Sequence, residues 1–205
     1  MTAVDGVGPE REDAPPAVPK VGVLALQGDF REHLAALDAL DARGVEVRLP
    51  DDLDAIDALI IPGGESTTIG RLAVRYGMIE PLKTHITSGL PVYGTCAGMI
   101  FLGSAVTDGA QPQLDVLDVV VERNAFGRQN ESFETELDIK GLDHPMHAVF
   151  IRAPLIAEAG PLVDILATHE GRPVVVRQEH VLASSFHPEL TDDLRLHEML
   201  IEMIN

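Results

Sequence analysis

The sequence predicts a single α/β domain of three layers, in which a mixed, mostly parallel central sheet carries helices on both faces. Through the first half of the chain, short aliphatic runs without polar interruptions alternate with helical patterns. Such runs are typical of parallel strands that are covered on both faces. At 205 residues, of which 45% are hydrophobic, the chain is long enough for one well-buried core and short for two domains.

The first half of the chain predicts four strands with helices between them. Hydrophobic residues recur at helical spacing from Phe30 to Leu40, and Gly44 follows as a stop signal. Further helical patterns run from 67 to 88, with a break near the middle, and from 97 to 103. The predicted strands are 21–26, 45–49, 57–62 and 91–94.

The second half of the chain predicts successive strands with short connections, so we expect some antiparallel pairs. Thr191 is suited to cap a last helix that runs to the end of the chain, with Asp192 and Asp193 in its first turn. The predicted strands are 114–124, 132–139, 147–154, 163–170, 172–178 and 180–186.

The N-terminal segment and the charge narrow the class of protein. Residues 1–19 contain four prolines and four acidic residues, which predicts a disordered tail and a domain spanning 20–205. The formal net charge of −18 would repel a phosphate backbone, so nucleic-acid binding is not expected. The acidity serves either solubility or docking against a basic partner, and the sequence leaves both open.

The sequence also predicts a cytoplasmic protein with no membrane association. No apolar run approaches the roughly 20 residues needed to cross a bilayer. No basic segment followed by a hydrophobic stretch marks a secretory signal. The single cysteine excludes an internal disulfide and fits a reducing compartment.

The one cysteine, Cys96, lies between glycines in the stretch 94–98, Gly-Thr-Cys-Ala-Gly. A nucleophile flanked in this way is typical of the nucleophile elbow, a tight strand-to-helix turn that exposes the reactive atom. Cys96 follows the strand 91–94, at the edge where parallel sheets bind ligands, and the amides of the next helix favour its thiolate. Alternatively, it is a small buried hydrophobic side chain, and a catalytic role requires a base.

His187 is the candidate base among eight histidines. The proline after it favours an extended conformation, in which His187 and Glu189 face the same side. Because a carboxylate beside an imidazole orients it and stabilises its protonated form, Cys96, His187 and Glu189 form a predicted triad. The other histidines have ordinary contexts, and His197, for example, fits a helix surface. No metal site is predicted, since one cysteine and dispersed histidines give no ligand spacing.

Longer motifs give the chain a family resemblance. The elbow and the His-Pro-Glu triplet are accompanied by PGGEST (62–67), VVERNAFGRQNESF (120–133), FIRAP (150–154) and SFHPELTDD (185–193). Together these motifs resemble the class I (triad) glutamine amidotransferases and, among them, the glutaminase subunits of pyridoxal 5'-phosphate synthase. The resemblance extends from residue 21 to the C-terminus, except around 104–113, and implies the flavodoxin-like fold of class I glutamine amidotransferases.

The resemblance implies hydrolysis of L-glutamine to L-glutamate and ammonia. The ammonia would pass to a separate barrel-shaped synthase subunit, which joins it to a pentose phosphate and a triose phosphate to make pyridoxal 5'-phosphate. The coenzyme is then a product of the complex, so no cofactor is expected in this chain. The expected partners are glutamine and the barrel subunit.

The resemblance also assigns chemical roles. Cys96 attacks the side-chain amide carbon of glutamine, and His187 donates a proton to the departing ammonia. The resulting oxyanion needs preorganised donors, for which the backbone N–H groups of Ala97 and Gly64 are the candidates. Other cysteine hydrolases and a non-catalytic regulatory subunit with the same fold are the alternatives, and the second would require a broken triad.

The expected glutamine pocket draws on several segments. An arginine fork suits the substrate carboxylate, although Arg152 by itself could be a solvated surface residue. Glu65 could meet the substrate amine or cap the following helix, and the sequence does not separate these roles. We expect the turn 27–29 at the same sheet edge to face the synthase, whose docking would order the oxyanion donors near 63–64. The predicted pocket residues are Gly64, Glu65, Ser66, Arg123, Ile151 and Arg152.

Overall fold

The computed structural model describes residues 18–123 and 132–204. In the first of these ranges strands and helices alternate, and a 3₁₀ helix spans Pro50–Ala55. The elements are β1 (Lys20–Leu24), α1 (Phe30–Ala39), β2 (Arg43–Val47), β3 (Ala58–Ile61), α2 (Ser66–Arg75), α3 (Ile79–Thr87), β4 (Val92–Thr95), α4 (Ala97–Leu102), β5 (Gly103–Val106) and the first strand of the second half, β6 (Leu117–Glu122).

The second half is built mostly of strands, followed by a 3₁₀ helix at Pro188–Leu190 and a final α-helix. The elements are β7 (Ser132–Leu137), β8 (Met146–Ile151), β9 (Leu155–Ala159), β10 (Asp164–His169), β11 (Arg172–Gln178), β12 (Val181–Ser184) and α5 (Arg195–Glu202).

The central sheet has seven strands in the order β10-β11-β12-β4-β3-β1-β2. The five strands from β12 to β2 pair in parallel, whereas β11 and β10 are added antiparallel at one side. Two smaller sheets, β5-β6-β9 and β7-β8, complete the described part of the chain. The predicted mixed, mostly parallel sheet is confirmed.

Helices cover both faces of this sheet, as expected for three layers. Successive residues of a strand point to opposite faces, so a strand between two helical layers is apolar at every position. In β3, Leu59 and Ile61 pack into a core with α2, α3 and α4. Ala58 and Ile60 pack into a second core with α1 and α5. Burial on both faces therefore explains the uninterrupted aliphatic runs of the sequence.

The carboxyl ends of β1, β3, β4 and β12 lie side by side, because these strands are parallel neighbours. The segments that follow them are 27–29, 63–64, Cys96 and His187. Open α/β sheets bind ligands at this edge. The topology alone thus brings most of the predicted site together.

The last helix differs from its prediction. It begins at Arg195, so the prediction that Thr191 caps it with Asp192 and Asp193 in the first turn is wrong. The Thr191 hydroxyl donates to the Pro188 carbonyl at 3.1 Å and accepts from the Asp193 amide at 3.2 Å, which closes the preceding 3₁₀ turn instead. The Thr191 side chain therefore stabilises a tight turn and does not cap the last helix.

Two strands of the structure were not predicted from the sequence. β5 and β9 were not predicted, because each is short, partly exposed and directly follows another element or a proline.

Residues 1–17 of the predicted tail lie outside the described residues. In the described ranges, no helix has the length and apolar character that a membrane span requires.

Candidate active site

Cys96 forms a strained turn between β4 and α4. Its φ is +48°, in a region that few non-glycine residues adopt. A Cβ at Gly98 would collide with the Ile61 carbonyl, and one at Gly94 would collide with α4, so both flanking glycines are required by close approach. The Cys96 amide donates to the Ser184 carbonyl at 2.8 Å. This is the geometry of the predicted nucleophile elbow.

His187 and Glu189 follow β12 and approach the elbow. The His187 amide donates to the Val149 carbonyl at 3.0 Å, which holds the extended backbone that Pro188 favours. His187 Nδ1 lies 2.8 Å from Glu189 Oε1, and the Glu189 side chain is completely buried. Cys96 and His187 line the same cavity, and Cys96 contributes to raising the pKa of His187, so the two side chains lie close together. Because Nδ1 is engaged by Glu189, Nε2 is the nitrogen left for the sulfur. The structure brings the three predicted triad residues together.

The protonation of this group follows from its surroundings. Burial opposes a charge on His187, but hydrogen bonds to Cys96 and Glu189 outweigh it and raise the pKa of His187 to about 10. Burial raises the pKa of Glu189, and its hydrogen bond to His187 counteracts that rise. A protonated His187 that donates from Nδ1 to Glu189 is therefore the favoured state of the imidazole.

The turn after β3, residues 63–64 (the glycine turn), packs against the turn after β1, residues 27–29. Gly64 has φ +152°, and a Cβ at Gly63 would collide with the His187 ring. The Asp29 amide donates to the Gly63 carbonyl at 3.1 Å, and the Glu65 amide donates to Gln27 Oε1 at 2.7 Å. The turn 27–29 therefore holds the backbone from which an oxyanion donor is expected.

A cavity of about 520 Å³ opens over the sulfur. Every predicted pocket residue lines this cavity, as do the two triad residues Cys96 and His187. Glu189 lies behind the imidazole of His187. Arg152 follows β8 with φ +44° and is exposed at this cavity. The lining residues beyond the predicted ones are Gln27, Asp29, Ile100, Pro154 and Leu190.

Comparison with known proteins places the chain in a family. A sequence model of the SNO glutamine amidotransferase family matches residues 23–205.

The chain belongs to the SNO glutamine amidotransferase family.

Curated relatives are identical to this chain at about half of the aligned positions. A protein of Streptomyces avermitilis named pyridoxal 5'-phosphate synthase subunit PdxT is 53% identical over 189 residues, covering 91% of this chain and 94% of the relative. A PdxT of Thermotoga neapolitana is 54% identical over 186 residues, covering 90% and 99%. The family resemblance predicted from the motifs is confirmed.

Solved structures support the family's fold. One described as a glutamine amidotransferase has a TM-score of 0.87 and 53% identity, covering 90% of this chain and 98% of that one. The structure of PurLQS from Thermotoga maritima has a TM-score of 0.70 at 14% identity, covering 92% and 100%, and shares the fold alone. The predicted fold class is confirmed.

Glu65 begins α2 of the family domain as its N-cap. Its carboxylate accepts from the Thr67 amide at 3.0 Å and from the Thr68 amide at 2.7 Å. A hydrogen bond from the Thr68 side chain contributes most to lowering the pKa of Glu65. Of the two roles that the sequence left open, the contacts match capping.

Arg123 is anchored by residues that the sequence analysis missed. Its guanidinium forms a fork on Asp108, with contacts of 3.0 Å and 2.9 Å, and Nη1 donates to Gln111 Oε1 at 3.0 Å. The Ser66 hydroxyl donates to the same Gln111 oxygen at 3.1 Å. Asp108 and Gln111 lie in the stretch that falls outside the family motifs, and no local pattern marks them.

His197 does not lie on a helix surface, so that prediction is wrong. The side chains of His33 on α1 and His197 on α5 are both fully buried behind Glu189. Each helix packs its inner face against the central sheet, and the histidines occupy that face. Helical spacing alone did not reveal this, because a polar residue in an amphipathic pattern is normally assigned to the outer face.

One group among the described residues has the spacing of metal ligands. Ligand atoms of Asp29, His187 and Glu189 lie within 4.8 Å of one another. His187 Nδ1 is already hydrogen-bonded to Glu189, however, and an imidazolium nitrogen cannot bind a metal ion. We assign no metal to this group.

Proposed function

We propose that this chain hydrolyses L-glutamine to L-glutamate and ammonia through a Cys96–His187–Glu189 triad. The observation that carries the proposal is the hydrogen bond between His187 and Glu189 at a cavity that Cys96, His187 and the predicted pocket residues line together. Membership of a glutamine amidotransferase family supports the reaction class.

In the first half-reaction, the Cys96 thiolate attacks the side-chain amide carbon of glutamine. The carbonyl electron pair moves onto oxygen, where the amides of Ala97 and Gly64 receive the oxyanion. When the tetrahedral intermediate collapses, the carbon–nitrogen bond breaks and the His187 imidazolium gives its proton to the leaving ammonia. A γ-glutamyl thioester on Cys96 and a neutral imidazole remain.

In the second half-reaction, water attacks the thioester. The oxygen of the water bonds to the acyl carbon while neutral His187 takes a proton from the water. The carbon–sulfur bond then breaks. Glutamate leaves, and the Cys96 thiolate and the His187 imidazolium are restored. Glu189 keeps its hydrogen bond to Nδ1 throughout, so the ring orientation and the charge of the imidazolium are stabilised.

Substrate binding is assigned to the cavity wall. Arg152, which is exposed at the cavity, offers a guanidinium group for the α-carboxylate of glutamine. Arg123 adds its positive charge to the same wall, with its donors bonded to Asp108, Gln111 and Thr67. Ser66 and Ile151 line the same cavity. Because Arg123 is already held by these hydrogen bonds, less side-chain entropy is lost on binding.

The ammonia is delivered to a synthase subunit that makes pyridoxal 5'-phosphate, in keeping with the name of the PdxT relatives. At neutral pH free ammonia is mostly protonated and no longer a nucleophile, so a dedicated glutaminase requires a receiving partner. The turn 27–29 is bonded to Gly63 and Glu65, and docking there would order the oxyanion donors. The complex would work in the cytoplasm, with no cofactor in this chain.

The proposal is tested by covalent labelling with a glutamine-mimicking diazoketone in the presence of the synthase subunit. We expect one adduct on Cys96 by mass spectrometry, slowed by glutamine and absent in Cys96→Ala. Arg123→Ala should weaken protection by glutamine about tenfold, since it removes a charged hydrogen-bond donor. Labelling that glutamine does not slow, or that survives in Cys96→Ala, would assign the site to another chemistry.

A further inference from the structure

Two buried histidines lie behind the triad and take no part in the mechanism above. His33 and His197 have fully buried side chains, with His33 Nδ1 2.9 Å from His197 Nε2. His33 Nε2 lies 3.2 Å from Thr95 Oγ1 and 3.5 Å from Glu189 Oε2. His33 therefore contacts both the residue before the nucleophile and the acid of the triad.

The protons of the two rings can be assigned from their partners. Burial lowers the pKa of His33 well below its ordinary value and that of His197 to about 4, so both rings are neutral and carry one N–H each. Among the described residues, His197 Nδ1 has no hydrogen-bond partner. A buried N–H without an acceptor is rarer than a buried lone pair without a donor. We therefore place the lone pair of His197 on Nδ1 and its proton on Nε2.

This assignment fixes the tautomer of His33. His197 Nε2–H donates to His33 Nδ1, which leaves the His33 proton on Nε2, directed towards Thr95 and Glu189. Glu189 uses Oε1 for His187, and Oε2 is buried without a hydrogen bond among the described residues. The His33 N–H thus faces the unsatisfied carboxylate oxygen of the triad.

We propose that His33 is a positioning residue of the reaction. Its Nε2–H, held in that tautomer by His197, lies 3.2 Å from Thr95 Oγ1 and 3.5 Å from Glu189 Oε2, and its attraction for the negative charge keeps the Glu189 carboxylate turned towards His187. The inference rests on the proposed triad and extends it by two residues. A carboxylate held only at Oε1 could rotate away from the imidazole, and the imidazole would lose its alignment with Cys96.

Several ionisable groups around His33 take part in any pH response. Glu189 approaches from the 3₁₀ helix, His187 from the residue before it and His197 from α5, while Asp29 Oδ2 lies 3.6 Å from His187 Nδ1. Tyr93 on β4 sets its ring edge against His197, with 6.0 Å between the ring centroids. Of these groups, Glu189 is the one whose charged form the His33 N–H stabilises directly.

Two substitutions of His33 separate positioning from space filling. His33→Gln places an amide N–H near the position of Nε2, whereas His33→Asn reaches only the position of Nδ1 and loses the donor towards Glu189. In the complex with the synthase subunit, we expect His33→Asn to lower kcat about tenfold with KM within about twofold. His33→Gln should keep at least about a third of kcat.

The pH dependence of thiol alkylation supplies a second readout. The chain has one cysteine, so the rate with iodoacetamide reports Cys96 alone. Removing a donor from a carboxylate raises its pKa, so the acid limb of the rate profile should move to higher pH in His33→Asn and stay in place in His33→Gln. Equal losses in both variants, or an unshifted acid limb in His33→Asn, would show that His33 only fills space.

A second pair decides the question if the first does not fold, as judged by thermal unfolding. His197→Gln keeps a donor for His33 Nδ1 and His197→Leu removes it, so the Leu variant alone should lose activity and shift the acid limb. Cys96→Ala runs in parallel. If it remains active, the proposed triad fails, whereas an inactive Cys96→Ala with a normal His33→Asn overturns only the inference about His33.

Discussion

Cys96 combines a strained backbone with a fixed partner. Its positive φ is maintained because its amide is bonded to β12 and because the flanking glycines let α4 and β3 come close. Strain of this kind persists only where the surroundings over-determine it. The turn places Cys96 in the wall of the cavity that His187 also lines, and Nδ1 of His187 is bonded to Glu189. The reactivity of the site therefore depends on the charge of His187.

We predict that Glu189→Gln lowers kcat/KM for glutamine about tenfold near neutral pH and moves the alkaline limb of the pH profile downward. Glu189 and Cys96 together raise the pKa of His187 to about 10 against the effect of burial. Replacing one of these anions lowers that pKa, so the imidazolium loses its proton at a lower pH. The measurement is kcat/KM between about pH 6 and about pH 11.

The matched control is Glu134→Gln. Glu134 also bonds a histidine, His147, at 3.0 Å, but that pair is exposed and lies on the β7-β8 sheet. The same change of charge there should leave the profile unchanged. An alkaline limb that stays in place in Glu189→Gln would contradict the role assigned to the carboxylate.

At the scale of elements, the first turn of α2 shares its residues with the cavity. Glu65 accepts the amides of Thr67 and Thr68, and the next residue, Ser66, is bonded to Gln111. A substitution at this helix end therefore tests local stability and substrate affinity in the same protein. The two contributions can be separated by substitution.

We predict that Glu65→Ala lowers the free energy of unfolding by about 1 kcal/mol and leaves KM for glutamine within about twofold. The Thr67 and Thr68 amides lose their acceptor, while the anchor of Arg123 on Asp108 is untouched. The measurements are urea unfolding and steady-state kinetics, with Glu65→Asp as the variant that keeps a capping carboxylate. A KM raised about tenfold without loss of stability would assign Glu65 to the substrate amine instead.

Elements with a regular sequence pattern could be predicted, whereas contacts between distant residues could not. β1 and β3 were predictable because burial on both faces leaves an aliphatic run. The elbow and the His-Pro-Glu triplet were predictable because their residues are neighbours in sequence. The pair His33–His197 is separated by 164 positions, and Arg123 meets Asp108 through a fork that only the folded chain forms. Contacts of this kind leave no local signal.

At the scale of the whole molecule, the active edge of the sheet is also the edge at which a partner would be sensed. The turn 27–29 contacts the glycine turn through main-chain and side-chain hydrogen bonds, and Gln27 and Asp29 line the cavity. Under the proposed function, an incoming synthase that moves this turn would also move Gly64, the proposed oxyanion donor. The strongly acidic composition of the chain suits a basic docking surface on that partner.

The most direct test of the central claim is glutamate release from glutamine by the wild type and by Cys96→Ala, each alone and with the purified synthase subunit. We predict release by the wild type, about tenfold or more faster with the synthase, since an ordered oxyanion donor is worth at least that factor. We predict no release by Cys96→Ala in either condition. Turnover by Cys96→Ala would contradict a thiolate mechanism, and equal rates with and without the synthase would contradict activation by docking.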